Sequence, residues 1–95
     1  AHLLRGRLEE YVEIADDFVI TQQLAPEFAL GTPIGDLRLR RNYGVHVTGV
    51  RHPGGTWQIA LPEVALQRGD HILVAGNRRD ADNFARLPCT DDLDG

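Results

Sequence analysis

Methionine and lysine are absent from this 95-residue chain, and cysteine and tryptophan occur once each. Without lysine, all ten basic side chains other than histidine are arginines, a bias that a GC-rich genome also produces. The missing methionine, even at the start (AHLL), reads as a piece of a longer polypeptide or a processed chain. A single cysteine, Cys89, excludes an intramolecular disulfide and a multi-cysteine metal site. In a polar tail it is expected to be an incidental thiol, in keeping with a reducing cytosol. No apolar run reaches the roughly 18–20 residues that a bilayer-spanning helix needs, and no signal-peptide pattern opens the chain. Positive charge is scarce too: ten arginines against fourteen acidic residues leave a net charge of −4. Nucleic acid is therefore not an expected partner.

Catalytic signatures are missing as well. The sequence holds no H-E-x-x-H, G-x-S-x-G, P-loop or G-x-G-x-x-G pattern. His71 follows Asp70 directly, but neighbours on a strand point to opposite faces and do not work as a pair. His52 lies in a turn beside a proline and is expected in solvent. Asp91, Asp92 and Asp94 lack the glutamate and spacing of a calcium loop. An enzyme is not expected, and neither is a metal or a cofactor.

What is present is an ordinary globule. Hydrophobic residues make up 42% of the chain and charged residues 25%, enough for one small domain. A domain of this size buries only about 60–65% of its unfolded surface, so a dimer interface would help it. Leu4, Leu8, Tyr11, Val12, Ala15 and Phe18 recur at helical spacing and predict an amphipathic helix from about Leu3 to Asp16, ended by Asp16-Asp17. A strand is expected from Phe18 to Leu24, stopped by Pro26. Thr32-Pro33 reads as a helix start, with threonine as cap and proline in the first turn. Asp36 and Arg40 stand i, i+4 on that helix in the better orientation for an ion pair, and Gly44 closes it.

Val45 to Val50 alternates as a strand, and His52-Pro53-Gly54-Gly55 turns it into a return partner lined by Trp57, Ile59 and Leu61. Trp57 is expected in core or dimer packing. Gly69-Asp70 introduces His71 to Ala75, an apolar strand expected to be buried on both faces. Asn77 and Asp80 resemble a capping pair for a last helix carrying Ala81, Phe84 and Leu87, which Pro88 ends. The predicted fold is α+β. It is a small two-layer sandwich with a strand–helix–strand crossover plus a β-hairpin, an N-terminal connector helix and a dimeric state. The expected divisions are 1–17 as connector, 18–87 as ligand-binding domain and 88–95 as a disordered acidic tail.

Four of the ten arginines (Arg38, Arg40, Arg41, Arg51) fall between positions 38 and 51 with no acidic residue among them. An acidic chain that gathers positive charge at one helix-to-strand junction suits an anionic small molecule, since a phosphate there could take the guanidinium fork of Arg40 and donors near His46. The plainer reading is a solvated helix face.

Two stretches carry a family resemblance. GTPIGDLRLRRNYGVHVTGVR resembles G-x-T-L-x-E-L-x-L-R-x-x-Y-G-V-x-V-x-x-I-x-R, and LQRGDHILVAG resembles hydrophobic-x-x-G-D-x-L-x-V-x-G, both patterns of the RCK C-terminal (TrkA-C) domain. The resemblance covers about Phe18 to Leu87. It implies a cytosolic regulatory domain that acts at the inner face of the cell membrane, on a potassium channel, potassium transporter or cation/proton antiporter, in the same or a separate chain. It further implies a homodimer that binds an effector, such as cyclic di-AMP or another nucleotide, at or near the dimer interface. Matching of motif positions gives Ile34, Arg40, His46, Val47 and Pro62 as the ligand-binding residues, with His46 standing where cyclic di-AMP binders carry asparagine. The rival readings are a purely structural dimerisation domain and an enzyme fragment completed by a missing domain.

Overall fold

The computed structural model describes residues 8–93. Strands β1 (Leu8–Ala15), β2 (Phe18–Leu24), β3 (Val45–Arg51), β4 (Gln58–Ile59) and β5 (His71–Asn77) form one sheet in the order β1-β2-β5-β3-β4. Every neighbouring pair is antiparallel. The link from β2 to β3 holds a 3₁₀ turn (Glu27–Ala29) and two short helices, α1 (Ile34–Leu37) and α2 (Leu39–Tyr43), and α3 (Arg78–Ala85) follows β5. Because β2 and β3 both flank β5, they run parallel with one strand between them, which is the predicted crossover. The small α+β sandwich and the β3–β4 hairpin are present, although β4 is only two residues long and Trp57 and Leu61 fall outside it.

The N-terminal helix is corrected over its described part. Leu8–Ala15 is a strand, paired with β2 through a turn in which Asp17 takes a positive φ of 63°. Register shifts at Leu8/Glu10 and Glu13/Ala15 interrupt the two-residue alternation. They leave apolar residues at a spacing that imitates a helix. The start of that expected helix, before Leu8, lies outside the described residues.

The core lies between the sheet and the helices. Val45, Val47, Val50, Ile72 and Val74 face Leu39, Leu66 and Phe84, all buried. Phe84 closes an aromatic group with Phe28 and Tyr43 at ring-centroid distances of 6.4 and 5.5 Å. Central β5 is buried over most of its length, because strands cover both of its edges and helices one of its faces. Asn77 caps α3 as its sequence predicts, Oδ1 accepting from the Asp80 N–H at 2.8 Å.

Gly69-Asp70 is more than a turn. Gly69 has φ +87°, and a Cβ there would stand 2.7 Å from Leu93 and 2.8 Å from Pro53. The Asp70 carboxylate is fully buried: Oδ2 accepts from the Gln67 N–H at 2.8 Å and Oδ1 meets His52 Nδ1 at 2.7 Å. His52 is thus tied down instead of standing free in solvent. His71 is also buried, with Nε2 3.2 Å from Asp92 Oδ1. Thr90 accepts from the Gly69 N–H through its hydroxyl oxygen and donates its own N–H to the Ala25 carbonyl. Residues 88–93 are therefore fastened to the body, which corrects the expected disordered tail over that stretch. Nearby, both guanidinium nitrogens Nη1 and Nη2 of Arg68 hold the Glu27 carboxylate at 3.0 and 3.1 Å, and this hydrogen bonding raises the Arg68 pKa.

Candidate functional site

The helix between β2 and β3 is not continuous. Arg38 adopts a left-handed conformation (φ 51°, ψ 48°), closing α1 and opening α2. This break removes the single helical face on which Asp36 and Arg40 were expected to pair, and among the described residues the two form no ion pair. Thr32 makes no cap either, since Pro33 is the N-cap residue and no side chain caps α1. The first free N–H groups of α1 go elsewhere: Ile34 N donates to the Val64 carbonyl and Gly35 N to the Pro62 carbonyl, each at 2.8 Å. A Cβ on Gly35 would lie 3.0 Å from Pro62 Cβ, so glycine lets α1 settle against that proline. At the other end, Gly44 (φ 73°) turns α2 into β3 and donates its N–H to the Arg40 carbonyl.

These contacts leave a cleft of about 180 Å³ between α1–α2 and the edge of β3. Its floor is Leu39, Val45 and Val47, its walls are Ile34, Gly35, Ala60 and Pro62, and its polar groups come from Arg38, Arg40 and His46. All five sequence-expected positions, Ile34, Arg40, His46, Val47 and Pro62, therefore line one concavity. Val45 and Val47 are nearly fully buried, while Arg40 and His46 are exposed. β4 pairs with β3 only at Gly49 and Val50, and the pairing reaches no further back than the Ala60 N–H on the Thr48 carbonyl. From Val45 to Val47 that side of β3 has no strand neighbour among the described residues. The short β4 is thus what opens the cleft.

Chemically, the cleft joins an apolar slot to two guanidinium groups and an imidazole at its rim. Among the described residues, Arg38 and Arg40 make no salt bridge. An oxyanion at the rim would meet unneutralised positive charge, and a planar apolar group would fill the slot.

The other members of the arginine cluster diverge. Arg51 lies over the Trp57 ring at 5.7 Å, and Arg41 lines no part of the cleft. Trp57 is 39% exposed, outside the core, and lies against Gly49 away from the cleft. Gly35, Arg38, Leu39, Val45 and Ala60 are lining residues that sequence matching did not single out. For Arg38 the clustering of arginines was a usable signal; for Ala60 there was none, because its place depends on where the hairpin ends.

Residues 28–88 match the TrkA-C domain family. Over 74 residues the chain is 26% identical to Ktr system potassium uptake protein A of Bacillus subtilis (strain 168), covering 78% of this chain and 33% of that protein. Over 75 residues it is 33% identical to an uncharacterized transporter of Bacteroides thetaiotaomicron, covering 76% of this chain and 13% of that protein. The chain therefore spans a third or less of the length of these relatives. The solved RCK C domain of the potassium transport protein KtrA, in complex with cyclic diadenosine monophosphate, superposes with a TM-score of 0.62 at 28% identity. That match covers 70% of this chain and 79% of the other. No helix among the described residues is long and apolar enough to cross a membrane. With its sheet order, its broken helix and its match over residues 28–88, the chain belongs to the TrkA-C domain family, whose members among these relatives are parts of potassium-uptake and transporter proteins.

Proposed function

We propose that this domain senses an anionic small molecule, cyclic di-AMP or another nucleotide, in the cleft between α1–α2 and β3. Through that ligand it would regulate a monovalent-cation channel, transporter or antiporter in the same or a partner chain, at the inner face of the cell membrane. The observation that carries this reading is the convergence of Ile34, Arg40, His46, Val47 and Pro62 on one cleft, with guanidinium groups at its rim that make no salt bridge among the described residues. In a homodimer, two such clefts related by a two-fold axis would suit a symmetric dianion. Binding would shift the arrangement of the two protomers by its difference in affinity for the two states. No catalytic step belongs to this role.

The test is calorimetry with cyclic di-AMP and a panel of other nucleotides on wild type and Arg40→Ala. A charge-assisted hydrogen bond contributes about 1.5–3 kcal/mol, so Arg40→Ala is expected to weaken binding by about 10- to 100-fold. Equal affinity in the two proteins would remove Arg40 from the site. No heat from any nucleotide would leave the second reading, a dimerisation domain without a ligand. Exposed Ile59 (77%) and Leu61 (48%) beside Trp57 favour a partner surface and so support that second reading.

A further inference from the structure

Packing explains why the chain turns left-handed between α1 and α2. Leu39 is buried in the core, and Leu37 packs against the same core. Residues two apart do not share a face of a continuous helix, so both leucines point inward only because the chain breaks between them. The break is held from both sides. The Arg38 carbonyl accepts from the Asn42 N–H at 2.9 Å, and the Asn42 side-chain amide donates to the Leu37 carbonyl at 3.3 Å.

Packing does not explain why an arginine stands at the break. A left-handed backbone (φ 51°, ψ 48°) is unfavourable for a residue with a Cβ and is adopted most readily by glycine, with asparagine next. Arg38 is exposed, so its side chain fills no core space, and it makes no salt bridge among the described residues. What it does reach is the cleft, which it lines together with Arg40 and His46. The same break that turns both leucines inward also brings residues 38 and 40 to one rim, where a continuous helix would point them apart. An unfavourable backbone conformation that its surroundings hold fixed, at a residue facing a cleft, is a mark of function.

We propose that Arg38 is a second anion-gripping residue of this cleft, at a position that the family pattern leaves open: in L-x-L-R the arginine falls at 40, and Arg38 is the unspecified x. Even a phosphodiester presents two non-bridging oxygens. Arg40 takes one and Arg38 the other, each through charge-assisted hydrogen bonds, so that one protomer holds one phosphate between two guanidinium groups. This inference rests on the nucleotide-sensing reading above. It adds a contact particular to this chain, kept at the expense of local stability.

Calorimetry with cyclic di-AMP at low and high salt tests it. Arg38→Asn, which suits the left-handed backbone and removes the guanidinium, is expected to bind about tenfold more weakly than wild type, and Arg38→Gly likewise. Arg38→Lys keeps the charge without the fork and is expected to lose about threefold. Thermal melts of Arg38→Gly should give a Tm no lower than wild type, which separates lost affinity from lost folding. The affinity of Arg38→Asn should also fall less steeply with added salt, because one positive charge fewer meets the phosphate. Wild-type affinity in Arg38→Asn, alongside weakened binding in Arg40→Ala, would overturn the grip of Arg38 and leave nucleotide sensing standing. A loss in Arg38→Asn that Arg38→Lys shares in full, with an unchanged salt dependence, would overturn it too, since the charge would then play no part. No heat from any nucleotide with wild type would overturn both readings together.

Discussion

Replacing Asp70 by alanine should unfasten one end of the molecule. The carboxylate is wholly buried, accepts from the Gln67 N–H at 2.8 Å and meets His52 Nδ1 at 2.7 Å. A hydrogen bond to a charged group contributes about 1.5–3 kcal/mol, so the Gln67 bond is assigned about 2 kcal/mol. The His52 side chain is 42% exposed, and its share is discounted for solvent screening to about 1 kcal/mol. Asp70→Ala is thus expected to cost about 3 kcal/mol of the 5–15 kcal/mol typical of a small domain. In urea titrations with a slope of about 1.5 kcal/mol per molar, the midpoint should fall by roughly 2 M. Asp70→Asn keeps the shape and an acceptor for Gln67 while removing the charge, and should cost about 1 kcal/mol. A loss below about 0.5 kcal/mol in Asp70→Ala, or equal losses in the two variants, would refute the assignment of this aspartate as the clamp of the turn.

Two further outcomes follow from the same geometry. Arg38→Gly relieves a left-handed residue that carries a Cβ, and part of that gain is offset by a more flexible unfolded chain; the expected net is about 0.5–1 kcal/mol of added stability, read as a rise of about 2–6 °C in Tm. Phe84→Ala empties the centre of the Phe28–Tyr43–Phe84 group and should cost about 3–5 kcal/mol in denaturant titrations, with unchanged stability excluding Phe84 as a core anchor.

Local chemistry made some of this fold legible. The apolar HILVAG run, the Asn77 cap and the Gly44 helix stop depend on residues a few positions apart, and the structure has them where their sequence places them. Residues 8–15 depart from their helical expectation for an equally local reason: two register shifts disturb the strand alternation, and the remaining spacing resembles a helical stripe. The acidic stretch after Pro88 looked solvated because its fasteners, the Ala25 carbonyl, the Gly69 N–H and His71, lie far away in sequence. In the cleft, motif matching placed five residues on one concavity, yet composition could not separate Arg40, which lines it, from Arg51, which lies over Trp57. That separation depends on the strand bulge between Val47 and Gly49 and on the hairpin's length, both set by tertiary pairing.

The left-handed residue at position 38 divides the rim of the cleft into two pieces with different moorings, bridged by the Asn42 Nδ2 bond to the Leu37 carbonyl at 3.3 Å. One piece hangs from the carbonyls of Pro62 and Val64, and the other is continuous with β3 through Gly44. Any widening or narrowing of the gap between Ile34 and Arg40 would therefore fall on the Arg38 torsions and on that bridging bond. The moorings to the Pro62, Val64 and Arg40 carbonyls lie on either side of position 38, so rotation of one turn against the other would strain the Asn42–Leu37 bond first.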